Sequence, residues 1–529
     1  MDVKQREITA EELSKDFKEI SIAEFFEKNR HLLGYENPTK SLITIVKELV
    51  DNSLDACEEA NILPNINVKV QQITEEKFKI LVEDNGPGIV PEKVPLAFGK
   101  LLYGTKFHKL KQTRGTQGLG AHGAILYSQL TTGKPAKITT TTEKEIHKFE
   151  LMIDVMKNEP NIISHEKEKN IEKWHGLKLE VECVGRYIEG KQSIPEYLKQ
   201  TAILHPYAKI VYNGPNGKST FERVTEQMPQ KPKEIKPHPY GMQLGILRRF
   251  ATTTKAKNMI GFLTKEFSRL GKRSAQEMCK LAKIPYKTKP KDLQHDEIER
   301  LHKAMQMVKL MSPPTNVLSP LGENLITEGL EKEVEAEHFV AISRPPTVYS
   351  GFPFVVEIGL AYGGKLPLDQ SAQLMRFANK VPLIYHSKDC VTSEACIETD
   401  WRRYGFSQSS GQLPLGPLII LVHFASVWVP YTSEGKQAIS AYPEIMKEVK
   451  LALQEAGRQL SIYIRRKQKS RESQLRKELF ENYIAELAED LSKLSNEDKE
   501  KIAKGLREII KKGESSVTRK DTETSDEKS

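Results

Sequence analysis

The segment KELVDNSLDA, from Lys47 to Ala56, is the most informative part of the sequence for predicting the fold. Around it, apolar residues recur at helical spacing and form one stripe: Leu42, Ile45, Val46, Leu49 and Val50. Thr39 is the predicted N-cap of this helix. Glu48 and Asn52 are four residues apart, so both project from one edge of the stripe, and Asp55 extends that edge.

An acid and an amide placed in this way can divide the work of phosphate-ester hydrolysis. The carboxylate of Glu48 can orient and deprotonate a water molecule. The amide oxygen of Asn52 can hold a Mg²⁺ ion that bridges phosphate oxygens. The alternative is a surface helix with ordinary polar residues at its margin, and this motif alone leaves that alternative open.

A second motif, EDNGPGI, follows from Glu83 to Ile89. The segment that leads into this motif is predicted to be a half-buried strand, because apolar residues lie at alternate positions: Phe78, Ile80 and Val82. Asp84, at the strand end, can accept a hydrogen bond from an exocyclic amine and so select adenine. Gly86 and Gly88 allow the backbone to approach a flat ring closely. The alternative is an ordinary turn at the end of a strand.

A third motif, RGTQGLGAHGA, runs from Arg114 to Ala124. Its glycines are predicted to precede the helix AILYSQL: Gly115, Gly118, Gly120 and Gly123. Exposed amides at the amino end of a helix form an anion site. A lone glycine-rich loop is weak support for a site, but the three motifs in this order predict a nucleotide pocket.

NGPNGKST, from Asn213 to Thr220, looks like the end of a GxxxxGK[ST] phosphate loop. Tyr212 stands where that pattern requires its first glycine. The segment follows the strand-like KIVY, so it is predicted to be a hairpin turn without a role in the site.

The chain has 529 residues, which predicts three or four domains. It has no apolar run of about 18 residues to span a bilayer, and its charged amino terminus does not resemble a signal peptide. The five cysteines form no CxxC pair, which is typical of reduced thiols. We therefore expect a cytoplasmic protein that is not associated with a membrane.

Positive charge is concentrated in one part of the chain. Thirteen basic residues and two acidic ones lie between Arg248 and Lys291, a local excess that is larger than the +9 of the whole chain. Such clustering indicates contact with nucleic acid. A second basic run, RRKQKSRESQLRK from Arg465 to Lys477, is interpreted as a solvated helix face.

Composition suggests where the domains divide. A proline-rich stretch from Met228 to Gly241 is predicted to be a linker, and a helical block follows to about Met311. Strand-like runs then include HFVAISR, FVVEIGLAY and LIILVHFASVWV. A helical pattern begins at Tyr442, a charged helix reaches about Lys512, and the last residues contain too few apolar side chains to fold.

The ordered motifs resemble those of the gyrase-type ATPase superfamily, which includes type II topoisomerases, MutL repair proteins, heat-shock chaperones and histidine kinases. KELVDNSLDA is similar to both MutL and topoisomerase VI B subunits. GTQGLGAHGAILYSQ resembles the B-subunit loop, whereas MutL proteins have a GFRGEAL pattern there. The basic helical block and the strand-rich region are similar to two further B-subunit domains, so the resemblance covers nearly the whole chain.

The resemblance implies a multidomain α/β protein. Residues 1–230 would be a Bergerat-fold ATP-binding α/β sandwich with an amino-terminal dimerisation arm, and 231–314 a helix-two-turns-helix domain. Residues 315–470 would be an α/β transducer domain, and 471–529 a charged helix with a disordered tail.

It also implies roles for particular residues. Glu48 matches the general base, Asn52 the Mg²⁺ ligand and Asp84, with Gly86 and Gly88, the adenine-binding segment. Lys436, in PYTSEGKQAI, matches a switch lysine that reaches the γ-phosphate. Further nucleotide contacts are implied at Thr105, Lys106, Gly115, Thr116, Gln117, Gly118, Leu119, Gly120, Ala121 and His122. Leu177 follows Gly176 where many superfamily members have a threonine, and no role is predicted there.

The implied mechanism is an ATP-driven clamp. ATP binding would join two B subunits, and hydrolysis would drive passage of double-stranded DNA, for relaxation or decatenation, through a separate DNA-cleaving A subunit. Two A and two B subunits would form a heterotetramer. The alternatives are a MutL-type mismatch-repair ATPase, disfavoured by the loop and the helical block, and a chaperone or kinase on the same fold.

Overall fold

The computed structural model describes residues 19–104, 109–115, 118–141, 144–433 and 435–509, together with Ser14 and Phe17. The chain forms two compact units, Met1–Gly457 and Arg458–Ser529. Some predictions fall outside the described residues: those for Thr105, Lys106, Thr116 and Gln117, for most of the amino-terminal arm, and for the carboxyl-terminal tail from residue 510 onward.

The α-helices are α1 (Ile22–Lys28), α2 (Pro38–Ala60), α3 (Val94–Gly99), α4 (Gly120–Thr132), α5 (Ile194–Leu204), α6 (Leu244–Thr253), α7 (Met259–Glu266), α8 (Lys272–Leu281), α9 (His295–Met307), α10 (Glu323–Glu333), α11 (Val391–Glu398), α12 (Pro443–Ser495) and α13 (499–509). The strands are β1 (Asn65–Gln72), β2 (Lys77–Asp84), β3 (Ala136–Thr141), β4 (Glu145–Asp154), β5 (Glu159–Lys169), β6 (Leu177–Val184), β7 (Lys209–Gly214), β8 (Gly217–Phe221), β9 (His338–Ser343), β10 (Thr347–Tyr349), β11 (Phe352–Tyr362), β12 (Gln373–Ala378), β13 (Val381–Pro382) and β14 (Leu418–Ser426).

The first sheet has eight strands in the order β5-β4-β3-β6-β2-β1-β7-β8. It is mixed, because β1 pairs in parallel with β7 and antiparallel with β2. Burial alternates along β1 and β2, so one face of the sheet is covered. Helices α2 and α4 cover that face, and the predicted apolar stripe of α2 lies in the shared core. The predicted sandwich of helices on a mixed sheet is confirmed.

The hairpin predicted at NGPNGKST is also present. Strands β7 and β8 pair antiparallel, and the last pair of the ladder is Gly214 with Gly217. The segment is therefore a tight turn at the edge of the sheet, away from the motifs of the site.

Helix α2 begins differently from the prediction. Its N-cap is Asn37, whose side chain accepts a hydrogen bond from the N–H of Lys40 at 2.9 Å. Pro38 occupies the first helical position, where its missing N–H costs nothing. The prediction that Thr39 is the cap is wrong, because Thr39 already lies inside the helix.

Substituting alanine at Asn37 is expected to lower the free energy of unfolding by about 1 kcal/mol, because an N–H of the first turn loses its partner. Thr39→Ala is the matched control and should change stability by much less, since its side chain caps nothing. Denaturant titration of both variants measures the difference. Equal destabilisation by the two substitutions would contradict the assignment of the cap.

A helical block, α6 to α9, follows the proline-rich segment. It has its own apolar core, in which Leu247, Phe262 and Leu301 are fully buried. All thirteen basic residues between Arg248 and Lys291 are exposed. The block therefore presents its positive charge to solvent while its apolar residues hold the helices together.

The second sheet has six strands, in the order β10-β11-β14-β12-β13, with β9 also paired to β11. The strands predicted from HFVAISR, FVVEIGLAY and LIILVHFASVWV are confirmed as β9, β11 and β14. Helix α10 links this sheet to the first one. A Cβ at Gly329 of α10 would collide with the carbonyl oxygen of Ile203 in α5, so the two helices pack at close range.

Helix α12 is 53 residues long and continues where two separate helical segments were predicted. No proline interrupts it after its first residue. It ends before Asn496, which adopts a left-handed conformation with φ of 53°. In the part of the chain that the structure describes, no helix combines the length and apolar character needed to cross a bilayer.

Candidate active site

The three motifs surround a cavity of about 790 Å³. Among the predicted residues, those that line it are Glu48, Asn52, Asp55, Asp84, Gly88, Gly115, Gly118, Leu119, Gly120, Ala121, His122 and Lys436. Gly86 is buried and is not part of the lining. Two segments of the second-sheet region, 382–385 and 435–437, complete the lining. The site is therefore built from both sheets.

Glu48 lies on α2 beside two lysines. Lys47 Nζ is 3.1 Å from Glu48 Oε1, and the positive charge of Lys436 also acts on this carboxylate. Burial alone would raise the pKa of Glu48, but these two ammonium groups outweigh it and lower the pKa. Glu48 is therefore ionised at neutral pH and can accept a proton.

Asp84 ends β2 with its side chain almost fully buried. Its Oδ1 accepts hydrogen bonds from the N–H of Gly86 at 2.9 Å and from that of Leu177 at 3.2 Å. Burial raises the pKa of Asp84 above its ordinary value, although these bonds and one from the Ser53 side chain oppose the shift. The carboxyl group is thus held in one orientation at the cavity wall.

Gly88 follows with φ of +68°, a conformation that favours glycine. A Cβ there would lie 3.0 Å from both the carbonyl oxygen of Gly176 and the hydroxyl of Thr140. The tight turn after β2 therefore depends on this glycine.

The glycine-rich loop meets Glu48 at the start of α4. The helix begins at Gly120, so Gly120 and Gly123 lie within it, and the prediction that all four glycines precede the helix is wrong. A Cβ at Gly120 would collide with the carboxylate of Glu48. Leu119 offers no side-chain cap, which leaves N–H groups of the first turn available to an anionic ligand.

His122 occupies the first turn of α4. The residue is 4% exposed, and its Nε2 has no hydrogen-bond partner among the described residues. Burial lowers the pKa of His122 to about 4, so the ring is neutral at pH 7. A buried nitrogen without a partner at a cavity wall fits a polar ligand that supplies one.

Lys436 reaches the cavity from the segment between β14 and α12. Its Nζ donates a hydrogen bond to the carbonyl oxygen of Arg114 at 3.4 Å. Burial lowers the pKa of Lys436, and the charge of Glu48 acts in the opposite direction. The structure thus places an ammonium group beside both the predicted base and the glycine-rich loop.

Three residues of the site were not predicted. Lys47 opens the first motif and pairs with Glu48, and Arg114 opens the third motif and forms ion pairs with Asp55 and Glu58. Lys47 and Arg114 both lie inside the motifs quoted from the sequence, so their positions could have indicated a role in the site. Leu177 acts through its backbone N–H, which no side-chain pattern can reveal.

Asn52 is exposed at the cavity, and its side chain makes no hydrogen bond to any described residue. Across the described ranges, no group of three or more His, Cys, Asp or Glu could hold a metal ion by itself. Mg²⁺ commonly takes one or two protein oxygens and completes its shell with phosphates and water. The single amide of Asn52 fits that use.

The fold and the pocket define an ATPase of the class that includes gyrase B and heat-shock proteins. Residues 40–181 match the family described as histidine kinase-, DNA gyrase B- and HSP90-like ATPase. Residues 313–476 match the transducer of the topoisomerase VI B subunit.

Relatives extend this match along the chain. The B subunit of type 2 DNA topoisomerase 6 from Archaeoglobus fulgidus is 46% identical over 462 residues, 86% of this chain and 76% of that one. Its counterpart in Methanosarcina barkeri is 47% identical over 475 residues, 88% and 75% of the two chains. That of Thermococcus gammatolerans is 39% identical over 541 residues, 93% and 95% of the two chains. The chain belongs to the family of type 2 DNA topoisomerase 6 B subunits.

Membership of this family makes the chain the ATPase-containing subunit of a DNA topoisomerase, and favours that function over mismatch repair. The family's designation as the B subunit implies a partner subunit and a DNA substrate.

Proposed function

We propose that ATP binds in the cavity between the two sheets and that its hydrolysis moves the second sheet against the first. The observation that carries this proposal is the position of Lys436. It belongs to the second-sheet region, yet it acts on the carboxylate of Glu48 and bonds to the loop at Arg114. A change at the γ-phosphate would therefore alter contacts on both sides of the cavity.

Glu48 is the general base in this proposal. Its lowered pKa keeps the carboxylate ionised at neutral pH, so that it can accept a proton from an attacking water molecule. Asn52 would hold Mg²⁺, which supplies electrostatic stabilisation of charge on the phosphate oxygens. The first turn of α4, with the loop from Gly115 to His122, would bind the phosphates, and Thr105, Lys106, Thr116 and Gln117 would add contacts.

Asp84 would bind the adenine ring. Its carboxylate is fixed by two backbone N–H groups and faces the cavity. An exocyclic amine donates hydrogen bonds, whereas a carbonyl at the same place would only accept them. The site would therefore prefer adenine to guanine.

The partner contacts follow from surfaces of two kinds. The exposed basic helices α6 to α8, with the lysines that follow them, would contact phosphates of double-stranded DNA. In the second unit, α12 exposes large side chains at a spacing of four residues: Leu475, Leu479, Tyr483, Leu487 and Leu491. We propose that this face docks the DNA-cleaving A subunit, and that two A and two B subunits assemble as a heterotetramer. ATP binding would join the two B subunits through the amino-terminal arm.

Replacing Lys436 with alanine tests the switch. With the A subunit present, the variant should bind ATP, but its relaxation of supercoiled DNA should fall about 5- to 150-fold, the range of typical coupling between sites. Agarose-gel relaxation assays and titration with a fluorescent ATP analogue measure the two quantities. The wild-type enzyme should relax DNA only when ATP is present.

Lys447→Ala is the matched control, because Lys447 is an exposed lysine on α12. It should leave both quantities unchanged. Relaxation by the Lys436 variant at the wild-type rate would remove the switch role from this residue. Relaxation by the wild-type enzyme without ATP would contradict the proposed function as a whole.

A further inference from the structure

A two-residue turn joins β12 to β13 in the second sheet. Asn379 and Lys380 form this turn, which we term the coupling turn, between the paired residues Ala378 and Val381. Both have left-handed backbones, with φ of 48° and 69°. Lysine adopts this conformation at a conformational cost, because glycine is preferred at the second position of such hairpins.

Buried residues of the second sheet form hydrogen bonds that hold the backbone of the coupling turn. The N–H of Lys380 donates to His423 Nε2 at 3.0 Å, and His423 Nδ1 donates to Glu357 Oε2 at 2.8 Å. Glu357 and His423 are completely buried. The same carboxylate accepts the N–H groups of Leu321 and Gly322. The backbone of the turn is therefore bonded to the buried core of the second sheet.

The turn is tied to the first-sheet region through both of its side chains. Asn379 donates a hydrogen bond to the carbonyl oxygen of Thr113 at 3.0 Å, just before the glycine-rich loop. It also exchanges two hydrogen bonds of 2.9 Å with the backbone of Ser426 in β14. One side chain thus bridges the loop and the central strand of the second sheet.

The side chain of Lys380 extends to helix α2 of the first-sheet region. Its Nζ lies 3.4 Å from Glu58 Oε2 on α2, and Glu58 Oε1 accepts a hydrogen bond from Arg114 Nη2 at 2.5 Å. The carbonyl oxygen of Arg114 is the group to which Lys436 donates. A continuous series of contacts therefore connects Lys380 with the loop and with the switch lysine, although neither residue of the turn lines the nucleotide cavity.

The charges in this cluster balance. Asp55 and Glu58 carry two negative charges, and Arg114 and Lys380 carry two positive ones. Burial opposes the charge on Glu58, but Arg114 and Lys380 hold the pKa of its carboxyl well below the ordinary value. Burial lowers the pKa of His205, the neighbouring ring, to about 3, so it remains neutral. Withdrawal of Lys380 would leave an excess negative charge buried beside the loop.

We infer that the coupling turn is a second contact through which the second sheet and the phosphate-binding loop control each other, with Lys380 as a positioning residue acting through Glu58 and Arg114. The inference rests on the proposed function, since it concerns the loop that would bind ATP phosphates. Coupling of this kind is reciprocal: an ordered loop favours the docked turn, and a docked turn favours the ordered loop.

Lys380→Met tests the inference in the full-length chain together with its A subunit. DNA passages per ATP hydrolysed should fall about 5- to 150-fold, and nucleotide affinity, measured with a fluorescent ATP analogue, should fall as well, because an undocked turn no longer favours the ordered loop. Lys380→Arg should restore most of this ratio, because it keeps the charge beside Glu58. Lys388→Met, at an exposed lysine nearby, is the matched control and should match the wild type.

Asn379→Gly gives an independent test, and it decides the question if Lys380→Met fails to fold. It keeps the left-handed turn and removes the side-chain bonds to Thr113 and to Ser426, so both links of this side chain are lost and the ratio of passages to ATP should fall in the same way. An unchanged ratio in Asn379→Gly would overturn the inference.

The double variant Glu58→Gln with Lys380→Met separates coupling from charge balance. Its buried charges balance again, yet the link from the turn to the loop is absent, so a low ratio is expected. Recovery of the wild-type ratio would show that Lys380 only neutralises a buried charge, and would overturn the inference. Failure of the proposed function is distinguishable, because wild-type DNA passage would then not depend on ATP.

Discussion

Replacing Glu48 with glutamine is expected to slow ATP hydrolysis by about 10²- to 10⁴-fold, the usual contribution of a general base. Glutamine keeps the length of the side chain but cannot take the proton. Lys47 and Lys436 hold the pKa of the wild-type carboxyl low, so that group is ionised at neutral pH. Nucleotide binding should be retained or strengthened, because a negative charge next to the phosphates is removed.

Steady-state ATP hydrolysis and nucleotide titration, performed on the same preparation, measure whether hydrolysis is lost while nucleotide binding is kept. DNA relaxation with the A subunit should fall together with hydrolysis. Glu76→Gln is the matched control, since Glu76 is an exposed acid in the turn between β1 and β2, and it should behave as the wild type. Hydrolysis by the Glu48 variant within a few-fold of the wild-type rate would exclude the role of general base.

Replacing Asp84 with asparagine is expected to weaken ATP binding by about 10- to 150-fold, because a hydrogen bond to a charged group contributes about 1.5–3 kcal/mol. The amide oxygen can still accept the N–H groups of Gly86 and Leu177. The amide nitrogen then replaces the second carboxylate oxygen. Its N–H groups face the exocyclic amine of adenine, which is also a donor, so no hydrogen bond can form between them. The fold should survive while the nucleotide preference is lost.

Isothermal titration with ATP and with GTP measures both the affinity and the preference. Glu83→Gln is the control, because Glu83 is the neighbouring residue on β2 but does not line the cavity and instead pairs with Lys178 at 3.7 Å. An Asp84 variant that keeps the wild-type preference for ATP would show that the base is recognised elsewhere.

Local patterns in the sequence were sufficient for the elements of the ATPase region. The stripe on α2 and the alternation on β2 depend on residues two to four positions apart, and both are confirmed. The edge shared by Glu48, Asn52 and Asp55 follows from helical geometry alone. The start of α2 was predicted less well, because Thr39 was predicted to be the cap and the structure has Asn37 there.

The role predicted for Lys436 did not come from a local pattern in the sequence. Within its own segment it is an ordinary lysine of a turn, and only the resemblance to a family singled it out. The structure brings it to Arg114, 322 residues earlier in the chain. No periodicity carries information over such a distance.

The pocket motifs, the family and the concentration of charge on the helical block could therefore be predicted from the sequence, because these depend on residue types and short spacings. The three-dimensional structure was needed to show that Leu177 fixes Asp84 through a backbone N–H, and that Lys380 and Lys436 approach the loop from the second sheet. These contacts depend on how two sheets pack around one cavity. That packing is set by long-range burial of apolar surface and pairing of buried charges.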